Sequence, residues 1–202
     1  MSKEIIILVG GNGSGKSTFY HRYLTHLNLP FLNADDLARE KWPNSPEEYS
    51  YQAAKIIEDK RRLFVSTGQS FCFETVFSHT SKVDFIAYAF SQGYNIQMVV
   101  IHIDGPANIN IARVANRKKL GGQTVPEDKI INRIPRMLDN VRRSIPFCST
   151  VSFFDSSNNE FVALAILSES KQLTVFKPLP SWVNNCLSGR FTEVLDHTDA
   201  QK

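Results

Sequence analysis

The stretch LVGGNGSGKSTF, Leu8 to Phe19, constrains this chain more than any other. It follows an apolar run, Ile5–Val9, that reads as a buried strand, and it leads into residues patterned as a helix, Ser17 to about His26. Gly10, Gly15, Lys16 and Ser17 fit the spacing GxxxxGK[ST], and a strand before it with a helix after it is the setting that gives the spacing meaning. Glycines let the backbone curl and turn its N–H groups inward. The N-terminus of the following helix favours an anion there. Lys16 can reach the β- and γ-phosphates of a nucleotide, and Ser17 can ligate Mg²⁺. Gly10, Gly11, Asn12, Gly13, Ser14, Gly15, Lys16, Ser17 and Thr18 are therefore the candidate nucleotide cradle. A glycine turn with a stray lysine would reproduce the spacing but not both flanks.

The rest of the chain alternates apolar runs with helical stretches, as a parallel sheet flanked by helices requires. Strands are expected at Phe31–Asn33, Ser70–Val76, Tyr94–Asp104, Thr150–Asp155 and Phe161–Leu167, with LTVF as one more. Helices are expected over the amphipathic stretch from Pro46 to Gly68, over Ser81–Gln92 with Gly93 as its stop, over Pro106–Lys119 and over Glu127–Arg143, where Pro135 should bend or interrupt the last one. The fold class is thus α/β, a P-loop NTPase-type parallel sheet flanked by helices. No repeat, low-complexity segment or linker divides the 202 residues, so one domain is expected, with a polar tail at 197–202 that frays.

Hydrophobic residues make up 42% and charged residues 21%, a composition that can bury a core. A net charge of +3 suits small anionic ligands and, without a run of interleaved aromatic and basic residues, argues against nucleic acid. No apolar run reaches membrane-spanning length. Cys72, Cys148 and Cys186 have no CxxC spacing and read as free thiols in a cytosolic protein.

Phosphate cradles occur in many machines, and two classes fall away at once. LGGQ, Leu120–Gln123, resembles part of the signature of ABC transporters, but it stands too close to the cradle and Pro126 follows it. No NKxD motif is present to read guanine. A small phosphoryl-transfer enzyme is the expectation that remains.

Its acids would come from strand ends, which crowd the ligand crevice of a doubly wound sheet. Asp35 and Asp36, in LNADDLA, follow the second strand, and either could aim an acceptor hydroxyl while the other caps a helix. Asp35 is the candidate catalytic group and Asp36 the candidate cap. Glu74, with Thr75, ends the third strand in FETV and is a candidate substrate contact or partner of Mg²⁺. Arg113, Arg117, Arg133, Arg136, Arg142 and Arg143 surround Gly121-Gly122 in a helix–hinge–helix pattern over residues 106–144. This is the pattern of an arginine-bearing lid that neutralises a transferring phosphoryl group. Arg117, Arg133 and Arg136 are the candidate catalytic arginines, with Arg142 and Arg143 at the surface.

The order of the motifs, from the cradle through NADD and FETV to RVANR…GGQTVPEDKI…RIPR, resembles that of the zeta-toxin-like kinases in their short bacterial branch. The resemblance covers roughly residues 5–155. It implies ATP- and Mg²⁺-dependent transfer to a hydroxyl of a small molecule, a UDP-linked amino sugar in the best-understood relatives. It implies Asp35 as base, Lys16 as phosphate lysine, Glu74 as substrate-binding acid and Arg136 as a phosphate-contacting arginine. It also implies a small antitoxin that blocks the nucleotide site. Val76, Gln123 and Ile134 depart from the family's threonine, histidine and aromatic residue. These departures bear on the acceptor more than on the reaction. Two other readings fit the cradle: a nucleoside or metabolite kinase of the same fold, and a nucleotide-dependent binding protein with little turnover.

Overall fold

The computed structural model of the chain describes residues 3–119 and 124–197. Strand β1 (Glu4–Val9) lies near the middle of an eight-stranded sheet of order β2-β3-β1-β4-β5-β6-β7-β8. The other strands are β2 (Phe31–Leu32), β3 (Phe71–Thr75), β4 (Asn95–His102), β5 (Thr150–Asp155), β6 (Val162–Ser168), β7 (Gln172–Val175) and β8 (Glu193–Asp196). The helices are α1 (Lys16–Tyr23), α2 (Ala34–Lys41), α3 (Ser50–Thr67), α4 (Ser81–Ser91), α5 (Asn108–Lys119), α6 (Glu127–Ser144) and α7 (Ser181–Leu187).

Strands β1 to β5 run parallel, as their helical crossovers demand. The expected all-parallel sheet is corrected beyond β5: β6 pairs antiparallel with β5, and β7 antiparallel with β6. The connection from β5 to β6 is a short turn through Ser156–Asn159, with Asn159 at φ 62°. A turn of that length can only reverse the chain, never cross over to a parallel neighbour. Of the two outcomes expected at Pro135, a bend or an interruption, the second does not occur: helix α6 is continuous through it. Helix α7 and strand β8 were not foreseen.

Both faces of the central strands are covered, which explains their near-continuous apolar runs. Along β1 the side chains alternate. Ile5, Ile7 and Val9 join the larger core with residues of α3, α4, α6 and α7, while Ile6 and Leu8 join a smaller one with Phe19 of α1, Cys72 and Ile101. Phe154 and Phe161 close the smaller core against Phe19 in edge-on contacts 5.0 and 5.1 Å between centroids. The three cysteines are free, and burial pushes each thiol up to about 12. Among the described residues no helix is long and apolar enough to cross a membrane.

Parallel strands place their C-terminal ends together. With β2 and β3 on one side of β1 and β4 on the other, the chain switches direction at β1, and the crevice opens there. His102, at the end of β4, is 6% exposed, with its ring 4.8 Å from that of Trp182 and no partner for Nδ1. Burial lowers its pKa to about 4, against opposing pulls from Asp104 and Asp155. Between that value and the unfolded value of about 6.5 the unfolded chain binds the extra proton, so stability falls as pH falls through this window. From pH 7 to 5 the loss assigned to His102 is about 2 kcal/mol. Urea unfolding of the wild type and of His102→Leu at both pH values measures it, and equal pH dependence in the two proteins would refute it.

Candidate active site

The loop from Gly10 to Gly15 wraps the end of β1 and meets α1 at the crevice. Gly10 is required by close approach: a Cβ there would collide with the Ile101 carbonyl and the Ser14 hydroxyl. Gly13 has φ +79°, and its Cβ would lie 2.8 Å from the Asn110 carbonyl. The backbone N–H groups of Gly13, Gly15, Lys16 and Ser17 make no hydrogen bond among the described residues. They form a set of unpaired donors at a helix N-terminus, the arrangement that suits phosphate oxygens. Lys16 is 8% exposed, and its Nζ donates to the carbonyls of Gly10 (3.0 Å) and Gly11 (3.1 Å). Burial lowers its pKa, Arg117 and Arg133 add to that, and Glu74 and Asp35 oppose it. These five charges therefore act on one another across one site.

The second strand delivers its acids differently from the sequence reading. Asn33, not Asp36, caps α2: its Oδ1 accepts from the N–H of Asp35 (2.8 Å) and of Asp36 (3.4 Å). Asparagine caps as well as aspartate, and it stands where the backbone is still extended, at φ −131°. Asp36 turns outward and pairs with Arg39 on the exposed side of α2. Asp35 lines the crevice together with Asn33 and Ala34.

Glu74 faces α1 across the sheet end, and the Ser17 hydroxyl donates to its Oε2 at 2.7 Å. Burial raises the pKa of Glu74, with Asp35 and Asp36 adding to it, against Lys16 and the Ser17 hydrogen bond. A hydroxyl and a carboxylate side by side are the hard oxygen donors that Mg²⁺ takes, with water and phosphate oxygens completing its shell. Ser17 and Glu74 therefore fit that ion, although no group of three or more His, Cys, Asp or Glu side chains with metal-site geometry occurs among the described residues. Thr75 uses its Oγ1 to accept the N–H of Phe77 at 3.0 Å and also lines the crevice.

The arginines separate. Arg133 donates to Asn12 Oδ1 at 3.2 Å, and Arg117 lines the same space with its Nε unpaired. Arg136 is exposed and does not line the cavity. Three residues along α6 it stands about 60° round from Arg133, beyond the face that buries Ile130, Met137 and Val141. Shared helical spacing alone did not decide which arginine turns inward. Arg113, one of the six arginines of the expected lid, ties the cradle down. It reaches the carbonyls of Gly13 (3.5 Å), Ser156 (2.7 Å) and Ser157 (3.1 Å) and Asn159 Oδ1 (2.9 Å). The proposed hinge, Gly121-Gly122, and Gln123 lie outside the described residues, as does most of the polar tail.

Asn12–Thr18, Asp35, Glu74, Thr75, Arg113, Arg117 and Arg133 line one cavity of about 900 Å³, whose wall also includes Tyr51, Arg61, His79 and Lys82. That is near the upper end of the range for one small-ligand pocket. A family model described as an AAA domain matches residues 5–143. The chain belongs to that AAA-domain family. Among solved structures, this AAA-domain protein is similar to a chain of the PezAT chromosomal toxin–antitoxin system of Streptococcus pneumoniae, with TM-score 0.58 and 16% identity over 80% of this chain and 70% of that one. It is also similar to a chain of AvrRxo1-ORF1:AvrRxo1-ORF2 with sulphate ions, at TM-score 0.68 and 16% identity over 86% and 61%. A chain of the same pair with ATP gives 0.63 and 17% over 83% and 59%. This protein thus spans about three fifths of the AvrRxo1 chains. No curated protein sequence matches it. The common element is an α/β P-loop NTPase fold.

Arg113 and Arg136 offer a direct contrast. Arg113→Ala removes charged hydrogen bonds to three carbonyls and should cost about 1–3 kcal/mol of stability together with roughly tenfold in nucleotide affinity, since the loop loses its tether. Arg136→Ala should move stability by less than about 0.5 kcal/mol. Thermal melts and nucleotide titration of both variants test this, and the reverse ranking would contradict the geometry.

Proposed function

We propose that the protein is a zeta-toxin-like P-loop phosphotransferase that moves the γ-phosphoryl group of ATP to a hydroxyl of a small molecule. The observation that carries this reading is the continuity of the cavity. The cradle alone could serve any nucleotide-binding protein, whereas here it opens past Asp35 and Glu74 into space for a second reactant.

In this reading the unpaired N–H groups of the loop and Lys16 hold the β- and γ-phosphates. The negative triphosphate offsets the burial that lowers the pKa of Lys16 and favours its charged form. Mg²⁺ held by Ser17 and Glu74 screens phosphate charge when bound. Asp35 aims the acceptor hydroxyl at the γ-phosphorus and takes its proton. The new P–O bond forms as the bond to the β-phosphate oxygen breaks, and ADP leaves. Arg117 and Arg133 neutralise charge on the equatorial oxygens. Transfer of this kind needs positioning and charge screening more than covalent help. Thr75 and Glu74 border the acceptor. A UDP-linked amino sugar is the first acceptor to test, on the strength of the motif resemblance. A small inhibitory protein partner is supported by the same resemblance and by the likeness to a toxin–antitoxin chain. The free thiols support a cytosolic setting.

The test uses Asp35→Asn, which keeps the shape of the side chain but cannot take the proton. It should bind ATP with wild-type affinity and lose transfer by about 10²–10⁴-fold. Product formation is followed with γ-labelled ATP, UDP-linked amino sugars first and a metabolite extract second. Lys16→Ala should cut turnover by on the order of 10²-fold or more. Wild-type transfer by Asp35→Asn would remove it as the base. ATP binding with no labelled product from any acceptor would favour the binding-protein reading.

A further inference from the structure

The far end of the cavity, between α3 and the start of α4, carries Arg61 and Lys82 on its wall. Arg61 is 3% exposed. Its guanidinium lies over Phe73, 4.7 Å from the ring centroid, and over Phe85 at 5.0 Å. Those rings satisfy the flat faces of the guanidinium and leave its N–H edge without acceptors. Nε is buried with no hydrogen-bond partner, and no ion pair to Arg61 or Lys82 occurs among the described residues. Glu58 on α3 is the one acid whose charge acts on both cations, without an ion pair to either, and its side chain accepts from Arg62 at 3.4 Å. Burial and the neighbouring Arg61 lower the pKa of Lys82 to about 8, and burial lowers that of Arg61 to about 10.

A buried guanidinium beside a half-buried ammonium, with no ion pair to either and only Glu58 as counter-charge, is costly for a fold to maintain. Neither is among the charges that act on Lys16, so the pair stands apart from the nucleotide loop within the same cavity. Nothing in the core requires a charge there: an apolar side chain over Phe73 and Phe85 would pack as well. A guanidinium edge and an ammonium facing a cavity are the donors that bind phosphate or carboxylate.

We propose that Arg61 and Lys82 form an anion subsite in the second chamber, which holds a phosphate or carboxylate group carried by the hydroxyl acceptor. The role of the bearer as acceptor rests on the phosphotransfer reading, but binding of the anion does not. The subsite excludes neutral acceptors such as free sugars and nucleosides. It also fixes the hydroxyl relative to Asp35 by anchoring the acceptor at a distance from the reacting atom.

Sulfate is the probe, since its charge is constant from neutral to alkaline pH. The wild-type chain is saturated with a non-hydrolysable ATP analogue and Mg²⁺, which fills the cradle, and is then titrated with sulfate at constant ionic strength. A saturable rise in melting temperature is expected. Lys82→Gln should weaken sulfate binding at least tenfold, Lys82→Arg should restore it, and Arg61→Gln should abolish it if it folds. Raising the pH from 7 to 9 removes the Lys82 proton, so wild-type affinity should fall by up to roughly tenfold, while Lys82→Arg should hold its affinity. The charges that act on Lys82 are those of Arg61, Glu58 and Arg62 of α3, and His79 lines the same cavity; a pH dependence that persists in Lys82→Arg would overturn the assignment to Lys82. Equal sulfate binding by wild type and Lys82→Gln, or a loss of affinity for the ATP analogue in Lys82→Gln, would overturn the subsite. Finally, a metabolite extract is divided on an anion exchanger and each part is offered with γ-labelled ATP. Label confined to the retained part supports the inference, and label on a neutral compound refutes it. Sulfate binding without label in either part would leave the subsite standing and count against phosphotransfer.

Discussion

The molecule depends on how β1 ends. A loop that leaves several N–H groups unpaired is unfavourable by itself, because unpaired polar groups are normally satisfied inside a protein. It persists here because its carbonyls and side chains are held from every side. Asn110 of α5 donates to the Asn12 carbonyl at 2.8 Å, Arg113 reaches Gly13, and Arg133 of α6 holds the Asn12 side chain. Ser156, after β5, donates to the Ser14 carbonyl at 3.0 Å. Every one of these partners binds an acceptor of the loop, and none competes for the donors that face the crevice. The strand order makes this feasible, since β4 and β5 lie on the side of β1 away from β3 and bring α5 and the Ser156 turn over the loop.

Charge follows the same division. Near the cradle, Lys16, Arg117 and Arg133 are set against Glu74 and Asp35, so burial shifts Lys16 and Glu74 toward neutrality without leaving either unaccompanied. At the far end, Arg61 and Lys82 have only Glu58 set against them, and it also accepts from Arg62. One cavity therefore has a balanced half and an unbalanced half. A balanced half suits a nucleotide that arrives with its own metal ion. An unbalanced half calls for a ligand that supplies the missing negative charge.

Legibility in the sequence tracked the range of the interactions. The cradle, β1 and α1 follow from contiguous residues, and α3, α4 and β4 from regular spacing bounded by Gly68 and Gly93. Each of these could be read because the determining forces act within a turn or a strand. NADD was ambiguous because Asn33, Asp35 and Asp36 all bear a capping oxygen, and only the extended backbone at Asn33 decides among them. Arg113 holds the cradle and Arg136 faces solvent because the burial face of a helix is set by what packs on it, not by the spacing of its arginines. The antiparallel edge was foreshadowed by the turn SSNNE, whose length already forbids a crossover. Helix α7 had the usual punctuation, Pro180 before it and Gly189 after it, but it is too short for periodicity to stand out. Arg61 and Lys82 gave no signal at all, since they meet only when α3 and α4 pack over Phe73 and Phe85.

Helix α6 links the two halves of the cavity. Toward one end Arg133 engages Asn12 of the cradle, and toward the other the Asn140 side chain donates to the Phe77 carbonyl at 2.9 Å. Phe77 is a buried residue at φ 62°, a backbone state that costs a non-glycine residue on the order of 1 kcal/mol and persists only when its surroundings hold it. Asn140 and the Thr75 hydroxyl together do so, by taking both polar groups of that residue. The bend they stabilise carries Val76, Ser78 and His79 into the wall of the second chamber. Pro135 lies between the two contacts and cannot donate to the Ile131 carbonyl, yet Ile130, Met137 and Val141 pin the helix to the core on both sides of it. The spacing between the nucleotide loop and the far wall of the cavity is thereby set by one continuous, core-anchored helix rather than by the loops that line the site.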